Sequence, residues 1–229
     1  MMVTPNTLAQ IVGKAVNANM VSVIKGLAAH PVGLDRPVRL ARFIGQLAHE
    51  SGGFAYDHEL GSHGYFNRYE GRADLGNTHP GDGYLFRGRG GIQLTGRANY
   101  TLFTRWAKKQ DSAAPDFTVT PDLLNTDPWE GLAPLFYWDT HTYRGKHIND
   151  WADAGDDEAV TRAINGGVNG LAERLRLTAV ASAYLCGSAS VRAYQGARQL
   201  AADGVAGPIT RGMLHRDLSA LPPVTFALT

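Results

Sequence analysis

The chain has 229 residues, of which 44% are hydrophobic and 19% charged. That is enough to bury a sizeable core, as one domain or as one domain with a small appendage. The formal net charge of +1 is too small to attract nucleic acid or an anionic membrane, so we expect neither as a partner. The single cysteine, Cys186, excludes an intramolecular disulfide and predicts a buried, inert thiol.

The N-terminal segment lacks the pattern of a secretory signal peptide. Polar residues such as Asn6, Gln10 and Lys14 interrupt its apolar residues, whereas a signal peptide has a continuous apolar core. No later stretch offers the roughly 18 uninterrupted apolar residues that span a membrane. We therefore expect a protein without stable membrane insertion that stays in the cytoplasm where it is made.

Apolar residues recur at helical spacing along most of the chain, which predicts a mainly α fold. The pattern is carried by residues 8–27, 40–47, 132–138 and 171–185. Residues 61–96 differ, since glycines alternate there with aromatic residues and arginines. This composition predicts loop with a small β-hairpin. Loops so rich in glycine often line a functional site.

A glutamate, Glu50, ends one predicted helix, in the sequence His-Glu-Ser-Gly-Gly-Phe at 49–54. We expect Asp35 to cap this helix, Pro37 to start it and the two glycines to end it. The negative end of the helix dipole and an apolar neighbour, Phe54, both favour the protonated carboxyl that a general acid needs. A solvated helix-end glutamate is the alternative.

Glu59 is the candidate partner carboxylate. Nine residues of unbroken helix, from position 50 to position 59, would turn about 900° and put the two glutamates on opposite faces. The glycines at 52–53 must therefore let the chain fold back, and the loop can hold the gap of roughly 6.5–9.5 Å that admits a water between the carboxylates. Glu70 competes for this role, although Arg68 and Arg72 favour a surface ion pair for it.

A third segment, residues 87–100, combines glycines with arginines and polar residues. It has neither a Gly-Lys-Ser/Thr step nor a regular Gly-x-Gly-x-x-Gly before a periodic helix, which excludes nucleotide binding. In an extended chain, Gln93 and Thr95 would alternate with apolar residues and face the same side. We expect Thr95 to hold the water that Glu59 activates.

Four motifs succeed one another between residues 41 and 177: 48–54, then 74–77 with 81–83, then 87–100, and last 164–170 with Arg174. Together they resemble glycoside hydrolase family 19, the family of plant-type chitinases and many phage endolysins, in its bacterial and phage branch. The resemblance implies a lysozyme-like α-rich fold and an inverting mechanism, with Glu50 as acid, Glu59 as base and Thr95 fixing the water. Further residues are expected to line or support the substrate groove: Gln93, Tyr100, Asn165, Arg174, Tyr65 and Arg87.

The spacing of the two glutamates departs from the plant chitinases, which have a longer segment between them and carry disulfides. The short step resembles that of phage lysins and favours peptidoglycan strands over chitin as substrate. We expect Arg87, Arg89 and Arg97 either to meet carboxylates of the peptide stems or to pair with Asp74, Asp82 or Glu70. The function so predicted is a monomeric endolysin without metal or cofactor, a muramidase-type enzyme held in the host bacterial cytoplasm until the inner membrane is opened.

Residues 189–229 resemble the latter part of a peptidoglycan-binding repeat, with an Asp-Gly-x-x-Gly-Pro-x-Thr turn at 203–210 between two helices. A tail of about 40 residues is too short to depend on a core of its own. We predict a catalytic domain at 1–188 and a helical tail at 189–229 that packs on it. Wall binding and a purely structural role for the tail both stay open.

Three other functions compete with the endolysin hypothesis. A chitinase would use the same glutamates. A zinc-dependent amidase or peptidase would also lyse walls, yet the His-Glu pair at 49–50 is followed by Ser-Gly-Gly, where a zinc site has a second histidine. A non-catalytic wall-binding or structural phage protein would leave the two glutamates without a purpose.

Overall fold

The computed structural model describes residues 1–229 and confirms the predicted mainly α fold. Strands are confined to four two-residue segments, β1 (Met2–Val3), β2 (Thr142–Tyr143), β3 (Lys146–His147) and β4 (Thr225–Phe226), and short 3₁₀ helices lie at His63–Tyr69, Ala73–Leu75 and Pro121–Asn125. The α-helices are α1 (Pro5–Val12), α2 (Ala18–Ala29), α3 (Pro37–Glu50), α4 (Asp82–Leu85), α5 (Arg97–Gln110), α6 (Trp129–Thr140), α7 (Ile148–Asp153), α8 (Asp157–Asn165), α9 (Leu171–Leu185), α10 (Val191–Ala197) and α11 (Pro208–Ala220).

One hydrophobic core of 41 buried residues runs through the helical body. Its two most extensive helix pairs are α3 with α9 and α2 with α6. Glycines allow both pairs to approach at backbone distance. A Cβ on Gly131 of α6 would lie 1.9 Å from the carbonyl oxygen of Ser22 in α2, a separation that no side chain permits.

The contact between α3 and α9 fixes the helix that ends in Glu50. A Cβ on Gly45 would lie 2.2 Å from Oγ1 and 2.8 Å from the backbone nitrogen of Thr178. The two helices therefore touch backbone to backbone at this point. No helix of the chain combines the length and the apolar character needed to cross a bilayer.

Helix boundaries near the N-terminus differ from the sequence pattern. The apolar stripe at 8–27 is divided between α1 and α2, because Gly13 takes a left-handed φ of 67° and Asn17 caps α2 by accepting the N–H of Met20 at 3.0 Å. The expected cap of α3 by Asp35 was wrong. Arg36 occupies the N-cap position and makes no side-chain cap, while Pro37 starts the helix as predicted.

Residues 61–96 are largely loop, as expected, but the small β-hairpin predicted there is reduced to isolated bridges. This stretch forms two 3₁₀ helices and α4, and its antiparallel bridges are isolated pairs, His58 with Arg89 and Arg89 with Leu94. Left-handed glycines, among them Gly76 and Gly81, interrupt any extended run. The hairpin of the fold is instead β2 with β3.

The C-terminal residues pack on the helical body. Val191, Tyr194 and Leu214 of α10 and α11 form a small cluster with Ala179 and Ala183 of α9. At the end of the chain, β4 pairs in parallel with β1. These contacts come from both the helices and the last strand, so the tail is attached to the body at two places.

Cys186 lies at the end of α9 and is half-buried. Burial raises the pKa of its thiol to about 11. The thiol is therefore protonated at neutral pH and is a poor nucleophile, which agrees with the inert thiol expected from the sequence.

The close approach of α3 and α9 makes a testable prediction. We expect Gly45→Ala to lower the free energy of unfolding by about 1–3 kcal/mol, because the methyl group overpacks the contact with Thr178. Denaturant unfolding followed by circular dichroism measures the change.

Gly212→Ala in α11 is the matched control, since a Cβ there meets no atom within 4 Å. It should leave stability unchanged or raise it by up to about 1 kcal/mol through helix propensity. A Gly45→Ala protein as stable as the Gly212→Ala protein would contradict the backbone contact between α3 and α9.

Candidate active site

Glu50 is the last residue of α3, and the chain turns sharply after it. Gly52 and Gly53 have φ values of 59° and 70°, a left-handed conformation that glycine adopts without strain. The N–H of Gly53 donates to the carbonyl of Ala48 at 2.6 Å. Ser51 closes the turn, since its hydroxyl donates to the Leu47 carbonyl at 2.6 Å and accepts the N–H of Phe54 at 2.8 Å. The predicted break between the two glutamates is therefore present.

A buried arginine from α9 holds Glu50. Nη2 of Arg174 donates to Oε1 of Glu50, Nη1 donates to Oε1 of Gln46 at 2.6 Å, and Nε donates to the Asn169 carbonyl at 3.0 Å. Gln46 in turn donates to Oγ1 of Thr161 in α8 at 3.0 Å. This network ties α3, α8 and α9 together and fixes the orientation of the Glu50 carboxylate.

The position of Arg174 agrees with the supporting role, one of the two that the sequence left open for it. Its side chain is 1% exposed, against 25% for that of Glu50, so it cannot reach a sugar and acts as a positioning residue. Phe54, expected to desolvate Glu50, is itself buried in the core. The environment of Glu50 is thus an ion pair with a guanidinium rather than an apolar pocket.

Glu59 lies in the loop after α3 and is held by three donors. Oε1 accepts from the hydroxyl of Tyr69 at 2.9 Å and from Nη2 of Arg68. Oε2 accepts from the backbone N–H of Gly88 at 3.4 Å, and the N–H of Glu59 donates to the Gly88 carbonyl at 2.8 Å. Burial raises the pKa of Tyr69, so its hydroxyl is protonated and donates at neutral pH.

Gln93 and Thr95 lie next to this loop, but not on an extended strand as expected. Gln93 has a φ of 56° and belongs to a turn, which the reciprocal backbone hydrogen bonds of Arg89 and Leu94 close at 3.2 and 2.8 Å. A turn of this kind does not present alternate residues on one face.

The space beside Gly88 brings Gln93 and Glu59 together. A Cβ on Gly88 would lie 2.5 Å from Oε1 of Gln93 and 3.2 Å from Oε2 of Glu59. The hydroxyl of Thr95 donates to the Gln93 carbonyl at 2.7 Å. Its oxygen lone pairs are then free to accept from a water molecule.

Glu70, the competing second carboxylate, has a structural role. Its Oε1 accepts the N–H of Gly81 at 2.6 Å and its Oε2 accepts the N–H of Gly83 at 2.8 Å. The ion pair expected with Arg68 or Arg72 was wrong, because Arg68 binds Glu59 and Arg72 binds Asp74. Both oxygens of Glu70 fix the loop before α4.

The arginines of the glycine-rich segment all have carboxylate partners within the chain. Arg97 binds Asp82, with Nε at 2.9 Å, which was one of the expected pairs. Arg89 is buried and pairs with Asp122, and Nη2 of Arg87 lies 3.5 Å from the same carboxylate. Arg87 and Arg89 thus share one exposed carboxylate, a pairing that the sequence did not suggest, and the contact of Arg87 with a substrate carboxylate stays a prediction.

Tyr100 is fully buried, so of the two roles expected for it, lining or supporting the groove, it can fill only the second. Its hydroxyl accepts from Nη1 of Arg89 at 2.7 Å and donates to the Arg87 carbonyl at 2.9 Å. Burial raises its pKa to about 12. Tyr100 therefore supports the loop from below. Tyr65, in contrast, is exposed, with the guanidinium of Arg68 3.8 Å from the centre of its ring.

Asn165 ends α8 on the Glu50 side of the site. Its Oδ1 is buried without a hydrogen-bond partner, which leaves an acceptor for a ligand N–H or O–H. The hydroxyl of Tyr137 donates to the carbonyl of the preceding Ile164 at 2.9 Å. Burial and the negative charge of Glu50 raise the pKa of Tyr137, which links this corner of α6 and α8 to Glu50.

Several residues of the site had no predictive pattern in the sequence. Arg68 and Tyr69 were visible only as members of an aromatic and arginine-rich stretch, and Tyr137 only as part of an apolar helix. Glu130, at the start of α6, has a pKa raised to about 7 by burial, with the charges of Asp57 and Asp127 adding to the shift. The partners of these residues cannot be predicted from a fixed spacing in the sequence.

No family model matches the chain. A Haemophilus influenzae protein described as "Glycosyl hydrolase family 19 domain-containing protein" is 32% identical over 174 residues, which cover 63% of this chain and 79% of the relative. Chitinase C from Streptomyces griseus HUT6037 has a similar structure, with a TM-score of 0.62 and 22% identity over 81% of this chain and 77% of that one. A bacterial family 19 chitinase gives a TM-score of 0.58 and 21% identity over 78% and 94% of the two chains.

The likeness to the two solved structures confirms the expected α-rich, lysozyme-like fold. The sequence relative carries the assignment further, because its identity extends over most of its own length. The chain belongs to glycoside hydrolase family 19, and the protein is a glycoside hydrolase.

Proposed function

We propose that this glycoside hydrolase is an endolysin that cuts the β-1,4 glycosidic bonds of bacterial peptidoglycan with inversion at the anomeric carbon. The observation that carries the catalytic part of the proposal is the separate anchoring of two glutamates. Glu50 is held from the core by Arg174, and Glu59 is held from the loop by Arg68, Tyr69 and Gly88.

Glu50 is the proposed general acid. It donates its proton to the glycosidic oxygen as the bond to the anomeric carbon breaks. Arg174 already donates to Oε1, so its guanidinium stabilises the carboxylate that remains after proton transfer. Because Arg174 is itself held by Gln46 and Asn169, the acid needs no reorientation during the reaction.

Glu59 is the proposed general base. It removes a proton from the water that attacks the anomeric carbon from the opposite face. The side-chain oxygen of Gln93 lies beside Glu59, and the Thr95 hydroxyl binds the Gln93 carbonyl; these two acceptors are the candidates to orient that water. Because three hydrogen-bond donors fix the orientation of Glu59, the water that it activates attacks the anomeric carbon from one direction only.

The choice of peptidoglycan rests on the tail. Gln195 is buried and ties the turn at 203–210 by accepting the N–H of Gly204 at 2.8 Å and donating to Asp203 at 2.8 Å. The turn exposes two apolar residues, Val205 at 68% and Ile209 at 73%. A rigid turn with exposed apolar side chains, resembling part of a peptidoglycan-binding repeat, supports contact with the wall.

A chitinase is the second candidate, because both structural relatives are described as chitinases. Chitin and peptidoglycan both offer β-1,4-linked N-acetylated sugars, so the two glutamates do not discriminate between them.

As an endolysin, the enzyme would act as a monomer and would reach its substrate once another agent has opened the inner membrane.

Replacement of the glutamates tests the acid and the base. We expect Glu50→Gln and Glu59→Gln each to lower kcat by about 10²–10⁴-fold, the usual contribution of a general acid or base, with unchanged circular dichroism. Glu70→Gln is the control, since it keeps one acceptor oxygen for the loop and should reduce kcat by less than about tenfold. If Glu70→Gln were more damaging than Glu59→Gln, the base would have to be reassigned.

The stereochemistry of the product tests the separation of the carboxylates. We expect the first product to have the inverted anomeric configuration, because a water between the two groups leaves no covalent glycosyl-enzyme. Proton NMR of a short oligosaccharide digest, recorded before mutarotation, reports the configuration. Retention would show that one glutamate attacks carbon directly, and the acid and base roles would then be abandoned.

A comparison of substrates tests the endolysin proposal. Purified enzyme should release new reducing ends from isolated sacculi much faster than from chitin oligomers of similar length, and mass spectrometry of the fragments identifies the linkage. The Glu50→Gln protein serves as the blank for both substrates. Rapid hydrolysis of chitin oligomers with intact sacculi would replace the endolysin with a chitinase.

A further inference from the structure

A cavity outside the two glutamates lies between α5 and α6. Its volume is about 520 Å³, within the range of roughly 300–1,000 Å³ that small-ligand sites occupy. Leu102, Trp106 and Phe136 give it an apolar floor. Trp106 and Phe136 are anchored in the core, and Leu102 is half exposed. Two of the three apolar floor residues are therefore fixed by the core.

Two cations stand at the edge of this cavity. Arg105 and Lys109 lie one helical turn apart on α5, and no aspartate or glutamate is among the nine lining residues. Neither cation forms an ion pair, in contrast to Arg87 and Arg97, which bind carboxylates of the chain. The nearby carboxylate of Asp139 accepts the indole N–H of Trp106 at 2.8 Å. Arg105 and Lys109 are thus available to an anionic ligand.

A neutral histidine completes the lining. Burial lowers the pKa of His141, so its ring is uncharged at neutral pH. Its Nδ1 lies 3.0 Å from the Tyr137 carbonyl and must donate to it, which leaves Nε2 as an acceptor. The cavity therefore offers cations for a carboxylate, an acceptor for an amide N–H and an apolar floor for aliphatic groups. A short acidic peptide has all three features.

Two lining residues of the cavity contact neighbours of the candidate active site. The His141 ring stacks on Tyr137, with ring centres 3.5 Å apart. The negative charge of Glu50 contributes to the raised pKa of Tyr137. On the other wall, Asn99 lines the cavity and donates to the Thr95 carbonyl at 2.7 Å. Asn99 thus connects the cavity to the segment that carries Thr95.

We propose that the cavity between α5 and α6 binds the peptide stem of peptidoglycan, with stem carboxylates on Arg105 and Lys109. This inference rests on the endolysin function proposed above and adds the element that distinguishes peptidoglycan from chitin, which has no stem. Arg105 and Lys109, which have no ion-pair partner in the chain, would bind the stem carboxylates in place of Arg87, for which the sequence suggested this role.

The test compares glycan strands with and without stems. Sacculi and the stem-free strands left after complete amidase digestion are given to the wild type and to Arg105→Glu/Lys109→Glu. We expect the double variant to lose at least about tenfold in kcat/KM on stem-bearing strands, as repulsion replaces charge-assisted hydrogen bonds, and less than about twofold on stem-free strands. Lys108→Glu, an exposed position on the same helix outside the lining, is the control for a charge reversal elsewhere on α5 and should change neither rate.

A binding measurement separates this inference from the endolysin function. The free stem tetrapeptide released by the amidase is titrated into both proteins, and chemical shifts of α5 amides are followed. Shifts in the wild type that vanish in the double variant support the cavity as the stem site, even if sacculi are not cleaved and the endolysin proposal fails. Cleavage of sacculi without tetrapeptide shifts, or an equal loss of rate on both kinds of strand, would overturn the stem site and leave the endolysin function standing.

Discussion

The backbone contact between α3 and α9 at Gly45 and Thr178 is the constraint on which the active site depends. Only at this distance can Arg174, rooted in α9, span the core to reach both Gln46 and Glu50 on α3. A buried guanidinium left without these partners would be strongly destabilising. The core therefore stabilises one orientation of the Glu50 carboxylate. The packing of α3 against α9 thus determines the geometry of the proposed acid.

The loop region around Glu59, the proposed base, is held together differently from the helical core around Glu50. Residues 61–96 contain little regular structure, and polar contacts take the place of helix packing. Glu70 binds two backbone N–H groups, Arg97 binds Asp82, and Arg89 binds Asp122. Loops held in this way open at lower free energy than a packed core. The loop that holds Glu59 can thus move more easily than Glu50, which the helical core holds.

Features that depend on local spacing were predictable from the sequence. Helical periodicity located α6 and α9, and two glycines after Glu50 indicated the break that a left-handed φ requires. Contacts between residues distant in the sequence could not be predicted. Arg174 and Glu50 are 124 positions apart, and any of several arginines could have been the ion-pair partner of Glu50. The same limit applies to Tyr100 and Arg87, whose partners Arg89 and Asp122 could not be identified from the sequence because only the fold brings them close.

The parallel pairing of β1 with β4 joins Met2 to Thr225 and Val3 to Phe226. Contacts between segments so far apart close the longest loops in the chain, and folding forms such contacts late. Buried Val3 cannot find its partner strand until residues 225–226 have left the ribosome. During synthesis, the N-terminal helices therefore wait with an unpaired strand edge, the kind of surface that chaperones and aggregating chains recognise. A premature stop within the tail would make that waiting state permanent.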